Sequence, residues 1–192
     1  MDRSADEQNG DPRDGHEIGP VLVAREAIAR RVSELGRDIS AAYAGRELTI
    51  VAVLTGSLIF LADLIRQMPN RMRICLVSAS SYPDKSVEPI GLPQLGPTRD
   101  LPAGGDVLIV DDVLDTGNTL EALVRHCLRS GGIVRTCVLL NKKRKMSRPI
   151  QPDFIGFEIG EEFVVGYGLD FDNLYRNLPD IRALRVADVS PA

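Results

Sequence analysis

The sequence has only three cysteines among its 192 residues, and no two of them form a CxxC motif. An odd number of cysteines, each inside an apolar run, argues against a disulfide framework and against a metal site built on thiolates. We therefore expect Cys75, Cys127 and Cys137 to be reduced and buried, as is typical of an intracellular protein.

Long apolar runs and a strong charge of either sign are also missing. No segment approaches the ~18 consecutive apolar residues of a membrane span, and the polar N-terminus lacks the apolar core of a signal peptide. Lys and Arg number 23 against 27 for Asp and Glu, and this net charge of −4 gives no electrostatic case for nucleic-acid or membrane partners. We expect a cytoplasmic protein that acts on small substrates.

The sequence does contain enough apolar residues, 44%, for one globular domain with a substantial core. Residues 1–18 are polar and without periodicity, which predicts a disordered arm before a single domain at 19–192. In that domain, apolar runs of strand length alternate with helical patterns, which predicts an α/β fold whose central parallel sheet is covered by helices. Strands are predicted at 48–54, 72–78, 107–110 and 132–140, and helices at 24–43, 58–68 and 119–129.

Residues 107–119, VLIVDDVLDTGNT, carry the clearest chemical signal. Successive N–H groups before a helix, with two Thr hydroxyls and a glycine, form a nest that suits a phosphate. The nest lacks the lysine of a Walker loop, so a phosphate monoester is indicated rather than a nucleoside triphosphate. The two aspartates before it suit sugar hydroxyls or Mg²⁺. The acidic pair is Asp111 and Asp112, and the nest is Asp115, Thr116, Gly117, Asn118 and Thr119.

These residues also have a plainer interpretation, in which DDVLD is an Asx turn and DTGNT an ordinary helix cap on a solvated loop. Two other predicted strand ends are polar, at residues 54–57 (LTGS) and 80–82 (SSY). Carboxyl ends of parallel strands share one edge of a sheet, so all three segments should converge on one rim. The fixed order of strand, acidic pair, third aspartate and turn favours the functional interpretation.

In that order, the motif resembles the phosphoribosyl-pyrophosphate signature of the type I phosphoribosyltransferases. The resemblance extends over residues 28–181 and narrows to the hypoxanthine-guanine phosphoribosyltransferases. Residues 30–66 are similar to the family's first helix, strand and pyrophosphate loop, residues 78–84 to the start of its mobile catalytic loop, and residues 152–181 to its purine-covering hood. The resemblance implies the type I phosphoribosyltransferase fold, with a small hood mainly from residues 142–192.

The implied reaction is transfer of the 5-phosphoribosyl group from 5-phosphoribosyl 1-pyrophosphate to hypoxanthine or guanine, in purine salvage. It gives IMP or GMP and pyrophosphate, with Mg²⁺ as cofactor, and the implied assembly is a homodimer or homotetramer. The nest would hold the 5-phosphate, and Asp111 and Asp112 would meet the ribose hydroxyls directly or through Mg²⁺. Asp170 would bind a second Mg²⁺. The pyrophosphate would be bound by Thr55, Gly56, Ser57 and Arg176.

At the base, the resemblance implies that Asp115 is the general acid/base opposite purine N7 and that Lys142 donates to the 6-oxo group. Phe163 would stack on the ring, and Val164 would read the base through its backbone. Plainer interpretations are a core position for Phe163 and, for Lys142, one of a solvated KKRK run.

Two segments depart from the family pattern. The family's pyrophosphate loop more commonly reads Leu-Lys-Gly, where this chain has Leu54-Thr55-Gly56. The proline-rich segment 81–100 is long for a βα connection, which is typical of a lid but also of a passive mobile loop. Ser81 and Tyr82 would begin this lid, and beyond Tyr82 the sequence differs from the family's.

Other functions stay open at this point. Within the same fold, the nearest alternatives are a xanthine-preferring or a pyrimidine enzyme. From another class, a non-catalytic regulator could keep the ribose-phosphate site and bind RNA or a protein. The acidic net charge and the joint presence of Asp115, Lys142 and Asp170 argue against that regulator.

Overall fold

The structure, a computed structural model, describes residues 16–80, 94–95, 105–128, 131–143 and 150–186. Its strands and helices alternate through most of this length. In chain order they are β1 (His16–Val23), α1 (Arg25–Ala42), β2 (Leu48–Leu54), α2 (Leu58–Ile65), β3 (Met72–Ser80), β4 (Gln94–Leu95), β5 (Asp106–Leu114), α3 (Asn118–Leu128), β6 (Val134–Lys142), β7 (Phe154–Ile159), β8 (Val164–Val165) and β9 (Ile181–Val186).

The larger of two sheets has six strands in the order β4-β3-β2-β5-β6-β7. Every neighbouring pair from β3 to β7 is parallel, and β4 pairs with β3 in the antiparallel sense. Helices α1 and α2 pack on one face and α3 packs on the other. The α/β prediction with a helix-covered parallel sheet is therefore confirmed.

The core explains why these segments form these elements. Helix α1 buries Ile28, Val32, Leu35 and Ile39, which recur at helical spacing on one face. Strand β2 is buried on both faces, as expected of a central parallel strand. Its Ile50 packs with α1 and α2, whereas the next residue along, Val51, packs with α3.

A smaller antiparallel sheet has the order β1-β9-β8 and encloses its own apolar cluster. The predicted hood at 142–192 therefore needs two corrections. Strand β7 does not belong to it, because β7 pairs in parallel with β6 and completes the large sheet. Strand β1, from outside the predicted segment, pairs with β9. Residues 16–18 thus lie in a strand and not in the predicted arm, and residues 1–15 are outside the described part.

Among the other predicted elements, helix α2 and strand β5 differ most from their predicted ends. Helix α2 stops at Ile65, before the predicted residue 68, because the amides of Gln67 and Met68 bond three residues back and tighten the chain into a turn. Strand β5 continues past residue 110 to Leu114, since its pairing with β6 persists to Asn141. The acidic pair consequently lies within the strand.

The three cysteines are buried thiols that form no disulfide, as predicted. Burial raises the pKa of the Cys127 thiol to about 11, which keeps it protonated and unreactive near neutral pH. Among the described residues, no helix combines the length and the apolar character needed to cross a membrane.

Candidate active site

The polar strand ends meet where the strand order of the large sheet reverses. From β2 the chain continues to β3 on one side, while β5 lies on the other side, so β2 and β5 flank a topological switch point. Open α/β sheets bind ligands in the crevice at such a point. The site is therefore expected between the turn after β2, residues 55–57, and the carboxyl end of β5.

Gly56 of this β2–α2 turn lies directly against Asp112 of β5. A Cβ built on Gly56 would lie 1.7 Å from Asp112 Oδ2 and 2.6 Å from its Cγ. The φ of Gly56 is outside the left-handed region, so the close approach, rather than an unusual backbone angle, requires glycine here. The peptide bond between Leu54 and Thr55 is cis, and the Ser57 hydroxyl donates to the carbonyl of Val53.

The acidic pair is crowded and largely buried. Asp111 is 7% exposed, and its Oδ1 accepts a hydrogen bond of 3.0 Å from the amide of Asp112. Burial, and then the charge of Asp112, raise the pKa of Asp111 well above its ordinary value. Burial also raises the pKa of Asp112, opposed by its hydrogen bond with Asp111 and by the charge of Arg176. Two such carboxylates ionise together only with a nearby positive charge, so the pair suits a cation.

The predicted phosphate loop, residues 115–119, follows at the end of β5. Residues 115–117 form a bend, and helix α3 begins at Asn118. Gly117 is buried with a φ of 81°, and its carbonyl accepts a hydrogen bond of 2.9 Å from the amide of Glu121 in the first helical turn. Thr116 and Asn118 are exposed. A left-handed glycine directly before a helix N-terminus is a backbone setting in which an anion nest can form.

The structure brings Asp115 and Lys142 together from two strand ends. Strands β5 and β6 are neighbours, and Lys142 Nζ lies 3.5 Å from Asp115 Oδ2. The Lys142 side chain is only 12% exposed, so its interpretation as part of a solvated basic run is wrong. A proton acceptor and an amine donor stand side by side at this rim.

Phe163 and Val164 lie beside the small sheet. Phe163 is 46% exposed and meets Phe171 edge to face at a centroid distance of 5.4 Å, so the core interpretation is wrong for Phe163. Its carbonyl accepts a hydrogen bond from Leu184 of β9. Because backbone groups alternate in direction along a strand, those of Val164 face the outer edge of β8, the edge strand among the described residues.

Arg176 and Asp170 face each other across one loop, residues 166–176, which we call the hood loop. Arg176 Nη2 lies 2.8 Å from Asp170 Oδ1, and Asp170 Oδ2 accepts a hydrogen bond of 2.8 Å from the amide of Asn173. Arg176 also donates to the carbonyl of Gly168 at 2.8 Å. The guanidinium is therefore held by the hood loop while its charge acts on Asp112.

Sequence reasoning missed three residues that connect this loop to the rest of the site. A Cβ on Gly168 would lie 2.5 Å from the carbonyl oxygen of Gly56, and the Tyr167 hydroxyl donates to Asp63 Oδ2 at 2.7 Å. The Gly-Tyr-Gly stretch at 166–168 was a turn signal that pointed to the loop but not to its contacts. Ser81 and Tyr82, predicted to begin a lid, lie outside the described residues.

The chain is similar to known proteins over most of its length. Residues 22–172 match the family model described as "Phosphoribosyl transferase domain". A hypoxanthine-guanine phosphoribosyltransferase of Aquifex aeolicus is 37% identical over 84% of this chain and 92% of its own, and one of Bacillus subtilis is 35% identical over 90% and 96%. A crystal structure of a hypoxanthine-guanine phosphoribosyltransferase from Bacillus anthracis, 35% identical, superposes with a TM-score of 0.80 over 88% of this chain and 99% of that one.

Proposed function

This chain belongs to the hypoxanthine-guanine phosphoribosyltransferase family, and from that premise we infer that it transfers the 5-phosphoribosyl group of 5-phosphoribosyl 1-pyrophosphate to hypoxanthine or guanine. It is a transferase of purine salvage. The observation that carries the assignment of the site is the pairing of Asp115 with Lys142 beside the phosphate loop.

In this reaction the bond between the anomeric carbon and pyrophosphate breaks, and its electrons leave with the pyrophosphate. A purine ring nitrogen forms the new bond to the anomeric carbon, and the purine gives up a proton. Positive charge grows on the ribose while negative charge grows on the leaving group. The preorganised charges at the switch point are placed to stabilise both ends of that separation.

We assign the phosphoribosyl end to β5 and its loop. The nest of residues 115–119 receives the 5-phosphate, and Asp111 and Asp112 face the ribose hydroxyls below the developing charge. The β2–α2 turn and Arg176 receive the pyrophosphate. The contact of Gly56 with Asp112, and the action of the Arg176 charge on Asp112, support the proximity of these two ends.

We assign the base to the other side of the rim. A 6-oxopurine presents O6 and N7 as neighbouring acceptors on one edge. Lys142 donates to O6 while Asp115 exchanges the proton at N7, and the 3.5 Å between their side-chain atoms suits that edge. Phe163 stacks on the ring with its exposed face, and the outward backbone of Val164 reads the base.

The donor set fits Mg²⁺ at the acidic pair. Mg²⁺ in proteins is usually bound by one or two carboxylates, with waters and substrate phosphates as its remaining ligands. The described residues contain no cluster of three or more His, Cys, Asp or Glu able to hold a metal by itself. When bound, Mg²⁺ supplies positive charge that stabilises the leaving pyrophosphate. The Asp170 oxygens keep further lone pairs, and we propose Asp170 as the ligand of a second Mg²⁺.

The remaining proposals concern the whole protein. We propose a cytoplasmic homodimer or homotetramer without nucleic-acid or membrane partners. The alternatives are a xanthine-preferring enzyme and a non-catalytic ribose-phosphate sensor. Pyrophosphate release with hypoxanthine, guanine and xanthine in turn separates them, because a sensor releases none and a xanthine-preferring enzyme turns over xanthine fastest.

Adenine is expected to be a very poor substrate. Lys142 has donors only, so the 6-amino group of adenine would face it donor to donor. A buried donor without an acceptor costs on the order of 1–3 kcal/mol or more, and with two donors left facing each other the loss of specificity should exceed about tenfold. Steady-state kcat/KM for adenine and hypoxanthine measures the difference. Turnover of adenine within about tenfold of hypoxanthine would mean that Lys142 does not read the 6-position.

Replacing Thr55 by the family's lysine is expected to have a small effect. Thr55 is exposed at the β2–α2 turn, and anion binding by a backbone turn needs no cationic side chain. Thr55→Lys should change the KM for 5-phosphoribosyl 1-pyrophosphate by no more than about tenfold, since an exposed charge contributes only ~1 kcal/mol. A thousandfold rise in kcat/KM would instead mark the natural turn as degenerate and contradict the transferase assignment.

A further inference from the structure

The hood loop is built from two consecutive tight turns. Gly166 and Leu169 exchange backbone hydrogen bonds of 3.0 and 3.1 Å, and Phe171 and Leu174 do the same at 3.3 and 2.9 Å. The four central residues all have positive φ: Tyr167 (51°), Gly168 (98°), Asp172 (50°) and Asn173 (62°). Positive φ at both central positions defines the type I′ turn, which normally takes Asn, Asp or Gly there.

Tyr167 is the unusual residue in this pair of turns. A bulky side chain at positive φ is strained and persists only where its surroundings hold it. Tyr167 is 8% exposed, its amide donates to the carbonyl of Leu178 at 2.7 Å, and its hydroxyl donates to Asp63 Oδ2 at 2.7 Å. Burial, and then the hydrogen bond to Asp63, raise the pKa of the Tyr167 phenol, so the hydroxyl stays a donor.

The position of Tyr167 determines that of its neighbour Gly168. The peptide groups of Gly168 bond to Arg176 twice: its amide donates to the Arg176 carbonyl at 3.0 Å, and its carbonyl accepts from the guanidinium at 2.8 Å. On its other side, Gly168 abuts the carbonyl oxygen of Gly56. Gly168 therefore lies between Arg176 and the β2–α2 turn and sets the distance between them.

Asp63 is the last residue of this chain of contacts, at the end opposite to Arg176. It lies on α2, the helix that begins directly after the β2–α2 turn. Its Oδ2 accepts from Tyr167 while its Oδ1 pairs with the exposed Arg66. The hydrogen bond between Tyr167 and Asp63, which lie 104 positions apart, therefore connects α2 with the hood loop. The turn before α2 and the hood loop each provide one half of the proposed pyrophosphate site.

We propose that the Tyr167–Asp63 hydrogen bond positions Arg176 against the β2–α2 turn, which makes both residues positioning residues for pyrophosphate and for 5-phosphoribosyl 1-pyrophosphate. This role rests on the proposed function, in which neither side chain is assigned a contact with substrate. Lys142 of the base site lies on β6, outside this chain of contacts, and Phe163 meets the hood loop at Phe171 rather than at Tyr167 or Gly168. Loss of the hydrogen bond should therefore affect one substrate and not the other.

The test is the pair of variants Tyr167→Phe and Asp63→Ala, with their double variant. Each single variant should raise the KM for 5-phosphoribosyl 1-pyrophosphate about tenfold. This is less than the roughly hundredfold loss that a ~1 Å displacement of a catalytic group can cause. The KM for hypoxanthine should stay at the wild-type value. Because both changes remove the same bond, the double variant should be no worse than either single one. Asp63→Asn keeps an acceptor oxygen at this position and should have the wild-type KM for 5-phosphoribosyl 1-pyrophosphate.

Two matched controls separate positioning from stability. Tyr43→Phe removes another buried hydroxyl, which donates to the carbonyl of Val107 at 2.8 Å in the core, and it should lower the Tm without changing either KM. Arg66→Ala removes the other partner of Asp63 and should also leave both KM values unchanged. Equal KM shifts for both substrates, additive single variants, or a shift in Tyr43→Phe would overturn the proposal.

Calorimetric titration with inorganic pyrophosphate gives a readout that does not depend on turnover. Wild-type protein that binds pyrophosphate but turns over no purine contradicts the proposed function, whereas weaker pyrophosphate binding by Tyr167→Phe still supports the positioning role. Active wild-type protein whose pyrophosphate affinity is unchanged in Tyr167→Phe and in Asp63→Ala contradicts the positioning role alone. The partly exposed Asp63 allows the test even if Tyr167→Phe does not fold.

Discussion

Gly56→Ala is expected to lower kcat/KM by at least about a hundredfold, because displacing a catalytic group by about 1 Å can cost that much. The added methyl would lie 1.7 Å from Asp112 Oδ2, far inside any real contact. Either the β2–α2 turn or the acidic pair must shift. The groups proposed to stabilise the ribose and the leaving pyrophosphate would then no longer face each other. Gly56→Val, which is bulkier, should nearly abolish turnover. Steady-state kinetics with hypoxanthine measures both variants.

Gly45→Ala is the matched control for this loss. Gly45 has a φ of 72°, and no heavy atom lies within 4 Å of the Cβ that alanine would add. The substitution should lower the Tm, since a left-handed backbone costs alanine roughly 1–2 kcal/mol, and leave turnover unchanged. Wild-type turnover by Gly56→Ala would show that the switch point is not where the pyrophosphate leaves.

Asp115→Asn is expected to lower kcat by ~10²–10⁴, the usual contribution of a general acid or base. Asparagine keeps the size of the side chain but cannot accept the proton that the purine gives up. The proposed phosphate nest would bind largely through backbone groups, so calorimetric binding of 5-phosphoribosyl 1-pyrophosphate should be largely retained. The loss therefore belongs in kcat and not in binding.

Asp38→Asn, an exposed position on α1, is the control for removing one negative charge and should be fully active. Normal turnover by Asp115→Asn would leave Asp115 as a helix cap only, which is the plainer interpretation of the DTGNT sequence. In that case the 3.5 Å pairing with Lys142 would be an ordinary ion pair at the rim of the sheet.

Features that are contiguous in the chain were determined by the sequence alone. The apolar run at 48–54 became β2 with the predicted bounds, and the helical spacing of Ile28, Val32, Leu35 and Ile39 became the buried face of α1. The bend between β5 and α3 was equally readable, because its Thr and Gly and the following Asn lie side by side between a strand and a helix. In each case the physical cause, periodic burial or a local nest of amides, acts between residues a few positions apart.

Only the tertiary structure decided which strands are neighbours, and several features of the site depend on that. The acidic pair lies within β5 because pairing with β6 continues past it, and β7 joins the large sheet through the same neighbour. The pairing of β1 with β9 joins segments from opposite ends of the domain. Backbone hydrogen bonds of this kind are available to almost any residue, so no local pattern in the sequence predicts them.

The contacts that complete the site are of the same non-local kind. The sequence placed Gly56 in a turn but not against Asp112, and it gave no sign that Tyr167 contacts Asp63, which lies 104 positions away. The exposure of Phe163 and the burial of Lys142 likewise follow from how the small sheet and β6 sit at the rim. The chemistry of each side chain was determined by the sequence, whereas its partner was decided by packing between distant segments.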